Sequence, residues 1–172
     1  MRTHKGDYDR AIQDYDQALR ADPKLAVAFF GRGWAYERKG EYDHAMRDYS
    51  QALELNSGDA NAFYRRGLIY KRTNEYDRAI SDYNQALQIN PTNSEVLYNR
   101  GLAFAHKSDF GRAIQDYDEA LRINSRYTNV FVVRGNAYTG KQDYDRAIRD
   151  FDQALRLDPN SADAYYNRAR AN

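Results

Sequence analysis

Cysteine is missing from this chain of 172 residues, which removes disulfides, thiolate chemistry and cysteine-rich zinc sites. It leaves the compartment open, with a soluble cytoplasmic protein as the default. Histidine is scarce: His4, His44 and His106 are the three present. No two of them stand at metal-ligand spacing, and no serine, cysteine or second histidine completes a catalytic set beside any of them. His4 and His106 fall at equivalent places near the end of an expected helix, where a basic side chain suits the helix dipole. Phosphate loops and dinucleotide fingerprints are lacking too. No apolar run approaches the roughly eighteen residues of a membrane span, and "MRTHKGDYDR" has no apolar signal-peptide core. Neither sign of charge dominates, with 26 basic residues against 25 acidic ones and a net charge of +1. A general polyanion binder needs a marked basic excess. The expectation is a non-catalytic protein with no metal or cofactor, no nucleic-acid partner and no membrane insertion.

Proline is also rare, and its positions reveal what the chain does contain. Pro23, Pro91 and Pro159 each close a version of one phrase: "GDYDRAIQDYDQALRADP" from Gly6, "NEYDRAISDYNQALQINP" from Asn74 and "QDYDRAIRDFDQALRLDP" from Gln142. "GEYDHAMRDYSQALELNS" from Gly40 and "SDFGRAIQDYDEALRINS" from Ser108 end on serine instead. The starts at 6, 40, 74, 108 and 142 give a period of 34 without slippage, the mark of a repeat architecture.

Within a repeat, Ala11, Ile12, Tyr15, Ala18 and Leu19 recur at helical spacing and predict one helix, B. The acids at its start, such as Asp7 and Asp9 or Asp143 and Asp145, suit a helix N-terminus rather than a catalytic pair. A second helix, A, carries Phe29, Gly33 and Tyr36, with Phe63, Gly67, Tyr70 and Leu97, Gly101, Phe104 as equivalents. Proline should stop helix B, and Ser57 and Ser125 should give softer ends. Glycine inside a helix costs about 1 kcal/mol relative to alanine, so Gly33, Gly67, Gly101 and Gly135 should mark close approach, expected against Ala45, Ala79, Ala113 and Ala147.

The 34-residue period, the large residue, glycine and aromatic of helix A, and the alanine, aromatic, alanine, proline series of helix B resemble the tetratricopeptide repeat (TPR). The resemblance spans practically the whole chain. It implies an all-α fold, a right-handed α-solenoid of stacked antiparallel helix pairs with helix A lining a concave groove. As a single array over residues 1–172, the chain divides into helix B over 6–23, full units 26–59, 60–93, 94–127 and 128–161, and a terminal helix A over 162–172.

One departure from the family pattern stands out. Where leucine commonly precedes the helix A glycine, this chain has Arg32, Arg66, Arg100, Arg134 and Arg168. Helix B carries Asp14, Asp48, Asp82, Asp116 and Asp150 at the same period. Buried charges need partners, so the two series read as a ladder of ion pairs, Arg32 meeting Asp48 in its own unit or Asp14 in the preceding one.

A second stripe on helix A, rotated by one residue, runs through Phe30 and Trp34, then Tyr64, Leu68 and Lys71, then Tyr98 and Leu102, then Val132, Asn136 and Thr139, then Tyr166 and Arg170. By the resemblance it faces the groove and implies a protein or peptide partner, though large side chains filling a tight superhelix would give the same stripe. Asn61, Arg65, Glu95, Asn99, Asn129 and Asn167 rim it. Arg38, Lys39, Lys71, Arg72, His106, Lys107 and Lys141 form a basic strip that suits an acidic partner; ordinary helix C-terminal cations account for it equally well. Chaperone-binding family members grip a carboxylate with lysine, asparagine and arginine. The corresponding early places here hold Phe30 and Trp34, or Tyr64 and Leu68, and Arg65 with Asn99 does not rebuild that clamp.

The chain opens on a helix B and closes on a helix A. A second expectation is therefore a scaffold that self-associates head to tail, with Tyr165, Arg168 and Ala169 of one copy docking on Tyr8, Ile12, Tyr15 and Leu19 of another. Such a contact is heterologous and propagates.

Overall fold

The computed structural model describes residues 5–171. Among these residues there are ten helices and no strand: α1 (Lys5–Ala21), α2 (Ala26–Lys39), α3 (Tyr42–Leu55), α4 (Ala60–Arg72), α5 (Tyr76–Ile89), α6 (Ser94–His106), α7 (Phe110–Ile123), α8 (Thr128–Gly140), α9 (Tyr144–Leu157) and α10 (Ala162–Ala171). They form two compact units, one ending at Ile89 and one beginning at Asn90. In the first, α2 packs on α3 and α4 on α5, with α1 on α2 and α3 on α4. In the second, α6 packs on α7, α8 on α9, α7 on α8 and α9 on α10.

The helices of a pair are antiparallel. Tyr36 stacks on His44 beside the turn, ring centroids 4.8 Å apart, while Arg32, a turn earlier, meets Asp48, a turn later. The turn repeats its geometry. Gly40, Asn74, Ser108 and Gln142 all take positive φ, between 59° and 81°, and the next residue donates its N–H back to Tyr36, Tyr70, Phe104 or Tyr138. This closes helix A by a Schellman-type bond.

Helix B ends do not soften where serine replaces proline. Helix α3 ends at Leu55 and α7 at Ile123, in phase with α5 at Ile89 and α9 at Leu157. The residue after the helix does the stopping: Asn56, Asn124 and Asp158 accept the backbone N–H of Gly58, Arg126 and Asn160. This side-chain turn diverts the chain whatever residue follows.

The helix A glycines also differ from expectation. Their neighbour is the helix B aromatic ring, not the alanine. A Cβ on Gly67 would lie 2.7 Å from Tyr83, on Gly101 2.5 Å from Tyr117, and on Gly135 2.6 Å from Phe151. Tyr49, Tyr83, Tyr117 and Phe151 are fully buried, so the glycine is the seat of the largest core side chain in each pair. The helix B alanines Ala45, Ala79, Ala113 and Ala147 are fully buried as well. On helix A, the buried residues Ala28 and Ala35, Ala62 and Ile69, Val96 and Ala103, and Val130 and Ala137 are further core positions.

Candidate functional site

The arginine series sits where the core meets solvent. Arg32 donates from Nε and Nη2 to both carboxylate oxygens of Asp48, at 2.8 and 2.7 Å. Arg66 does the same to Asp82, Arg100 to Asp116 and Arg134 to Asp150. The four aspartates are buried, and bidentate pairing with guanidinium is the arrangement that offsets their desolvation. Burial pushes the Asp116 carboxyl upward, and the hydrogen bond from Arg100 opposes it.

The partner in the preceding unit is not the expected Asp14, which is exposed. Arg32 reaches Asp16 from Nη1 at 2.6 Å, Arg66 reaches Ser50, Arg134 reaches Asp118 and Arg168 reaches Asp152. Two residues along a helix turn the side chain through some 200°. Asp48 can therefore serve its own unit, while Ser50, two residues on, faces the next.

The expected binding stripe is divided by burial. On α2, Phe30 is half-buried, tilted against Tyr49 with ring centroids 5.6 Å apart. Trp34 is 37% exposed and meets Tyr8 edge-on. Val27, one turn earlier on the same stripe, is 69% exposed. Extending the three- and four-residue spacing backwards from Trp34 and Phe30 would have found it. In α4, Tyr64 is buried against Tyr83, whereas Leu68 and Lys71 are half-buried. Burial lowers the Lys71 ammonium pKa. In α6, Tyr98 is half-buried between Tyr117 and Tyr127, and Leu102 is half-buried. In α8, Asn136 is exposed.

Two residues expected on the rim are engaged elsewhere. Arg65 donates to Glu37 at 3.3 Å. Asn99 is buried, and its amide donates to the Glu95 carbonyl. Glu37 is the residue the sequence reading missed: it also accepts the Tyr49 hydroxyl at 2.6 Å. It lines a cleft of about 430 Å³ with Arg38, Tyr42, Leu68, Ile69, Lys71 and Arg72. Of the basic strip, Lys39 pairs with Asp9 and Glu41, and Arg72 lies over the Tyr42 ring.

The expected end faces are unequal. On α10, Tyr165 is 50% exposed and Ala169 is exposed. On α1, Ile12 is buried, Leu19 is half-buried and Tyr15 leans onto Gly31 of α2, where an added Cβ would lie 2.3 Å from its ring. His4 lies outside the described residues. Among the described residues no cluster of metal-ligating side chains occurs, and no helix is long and apolar enough to cross a membrane.

The tetratricopeptide repeat model matches residues 26–59, 60–93 and 94–127, and a second TPR repeat model matches 1–40 and 135–172. No curated protein matches in sequence. A solved structure of MamA is 27% identical, with 92% of each chain covered and a TM-score of 0.86. YrrB, described as a TPR protein with an unusual peptide-binding site, shares the fold at 22% identity and a TM-score of 0.88, over 95% of this chain and 84% of its own. The first TPR of Spaghetti (RPAP3), bound to an HSP90 peptide, is 28% identical over 65% of this chain and 89% of its own, with a TM-score of 0.64.

Proposed function

Since the chain belongs to the tetratricopeptide repeat family, whose units supply surfaces for protein partners, we propose that it is a non-catalytic interaction module holding a peptide or helical segment in the concave groove that the second stripe of its A helices would line. The observation that carries this reading is the alignment of Val27, Phe30 and Trp34 on α2, two of them substantially exposed. Exposed apolar stripes of this kind mark interaction surfaces. The RPAP3 relative holds a peptide. This chain has Arg65 and Asn99 already engaged, so its ligand chemistry differs from capture of a chaperone tail. The test is selection of binding peptides from a library on the intact chain, followed by Trp34→Ala. Loss of about 2 kcal/mol of affinity, typical of an aromatic anchor, with helix content retained, supports the reading. Undiminished binding moves the site away from α2.

A second reading is head-to-tail self-association. Arg168 donates to Asp152 from Nη1. Its counterparts Arg32, Arg66, Arg100 and Arg134 also pair with a buried aspartate of their own unit, and Asp14, at the place of that aspartate on α1, is exposed. A second copy would join Arg168 to Asp14, with Tyr15 swinging back from Gly31. Sedimentation across a wide concentration range decides it: a species that stays monomeric throughout, unchanged by Tyr165→Glu, ends this reading.

A further inference from the structure

The cleft of about 430 Å³ in the first unit carries an excess of positive charge. Arg38, Lys71 and Arg72 line it, and Glu37 is the one carboxylate on its wall. That carboxylate is already engaged, accepting the Tyr49 hydroxyl at 2.6 Å and the Arg65 guanidinium at 3.3 Å. Three cations against one anion leave the wall two positive charges in excess.

Cations in the last turn of a helix ordinarily serve its final carbonyls and its dipole. The two arginines of the cleft reach away from their own helices instead. Arg38, near the end of α2, turns to α1 and donates from Nε to the Tyr8 hydroxyl at 3.3 Å. Arg72, the last residue of α4, turns to α3, its guanidinium 5.0 Å from the centre of the Tyr42 ring, and Tyr42 itself lines the cleft. Neither arginine forms an ion pair among the described residues. The contact of Arg38 uses Nε and that of Arg72 uses the face of the fork, so both keep N–H donors for a ligand. Lys71 is half-buried, and burial lowers the pKa of its ammonium. An anion beside it would oppose that shift. Arg38 and Arg72 hold one place in successive units, and His106 and Gly140 hold that place in the second unit. The arginine pair thus belongs to the first unit alone.

We propose that this cleft is a subsite for a phosphorylated serine or threonine of a bound peptide. The proposal rests on the reading that the A-helix groove binds peptide, and names the chemistry of one place along it: Leu68 and Lys71, both on the wall, belong to the stripe assigned to the groove. A phosphate monoester carries about −1.5 to −2 charges at pH 7 and three acceptor oxygens. That matches the excess on the wall, whereas one carboxylate neutralises half of it. Two guanidinium forks and an ammonium are the donors such a group takes, through charge-assisted hydrogen bonds.

The test uses the intact chain, isotope-labelled for NMR, with inorganic phosphate and three capped tetrapeptides: Ala-phosphoserine-Ala-Ala, Ala-Glu-Ala-Ala and Ala-Ser-Ala-Ala. The phosphoserine peptide should shift the amides of Tyr42, Leu68, Lys71 and Arg72, raise the Lys71 pKa, and bind at least fivefold more tightly than the other two peptides and inorganic phosphate. Arg72→Gln should weaken it at least fivefold with the melting temperature retained. Lys24→Gln, which removes one exposed charge at the other end of α2, should leave it unchanged. The subsite is overturned by equal binding of the glutamate or serine peptide, by inorganic phosphate binding as tightly as the phosphopeptide, by equal losses in Arg72→Gln and Lys24→Gln, or by no shift at those amides at millimolar peptide. Shifts confined to amides such as Phe30 and Trp34 overturn the subsite while leaving the interaction module intact. Failure of the library selection described above would instead remove the module itself.

Discussion

Asp82 accepts both the Nε and the Nη2 hydrogens of Arg66, each at 2.8 Å, from the buried side of α5. Removing one member of such a pair strands the other, at a cost of about 3 kcal/mol. Asp82→Ala should therefore lower the melting temperature by several degrees. Asp77→Ala, at the exposed start of the same helix, should change it far less. Equal losses in thermal melts would reduce the ladder to a solvated stripe.

Glycine at 101 is set by the Tyr117 ring, which an added Cβ would approach to 2.5 Å. Gly101→Ala should destabilise the chain by about 1–3 kcal/mol through overpacking, even though alanine favours the helix by about 1 kcal/mol. Gly111, whose added Cβ would meet nothing nearer than 3.7 Å, is the control: Gly111→Ala should be neutral or slightly stabilising. Urea unfolding of the two variants checks both signs.

Gln142 adopts φ of 62° at the position that Gly40 fills with φ of 81°. Left-handed backbone costs a residue with a Cβ roughly 1–2 kcal/mol, and glycine is the favoured residue just past a helix. Gln142→Gly should raise stability by about 0.5–1 kcal/mol, read as a higher denaturation midpoint with an unchanged slope.

Asp109 and Asp143 open α7 and α9 and accept the backbone N–H of Arg112 and Arg146. The Asp109 carboxyl is held below its ordinary value of 3.8, first by that backbone hydrogen bond and then by the Arg112 side chain. The Arg146 side chain acts first on Asp143. A depressed folded-state pKa contributes stability that is complete above the unfolded value and lost as pH falls through the folded one. Asp109→Asn with Asp143→Asn keeps the caps but removes the titration. The double variant should show a smaller drop in melting temperature between pH 5 and pH 2.5 than the parent chain.

Sequence periodicity determined which residues form helices and how the chain pairs them, because a face that repeats every three to four residues must be buried and a 34-residue repeat of two such faces leaves few ways to do it. It also showed that the arginine and aspartate series must meet, since spacing alone put both on inward stripes. Tertiary structure decided what spacing cannot: that Arg32 reaches across to Asp16 rather than Asp14, that the glycines seat a ring rather than an alanine, and that Asn56 and Asn124 end their helices as sharply as proline would. These choices depend on side-chain direction and length across a helix contact. The stripe on helix A was legible as a stripe, yet Tyr64 and Asn99 are buried while Val27 and Trp34 are exposed. Residues at neighbouring helical phases share one pattern in sequence, and only the packed partner helix determines which of them reach solvent.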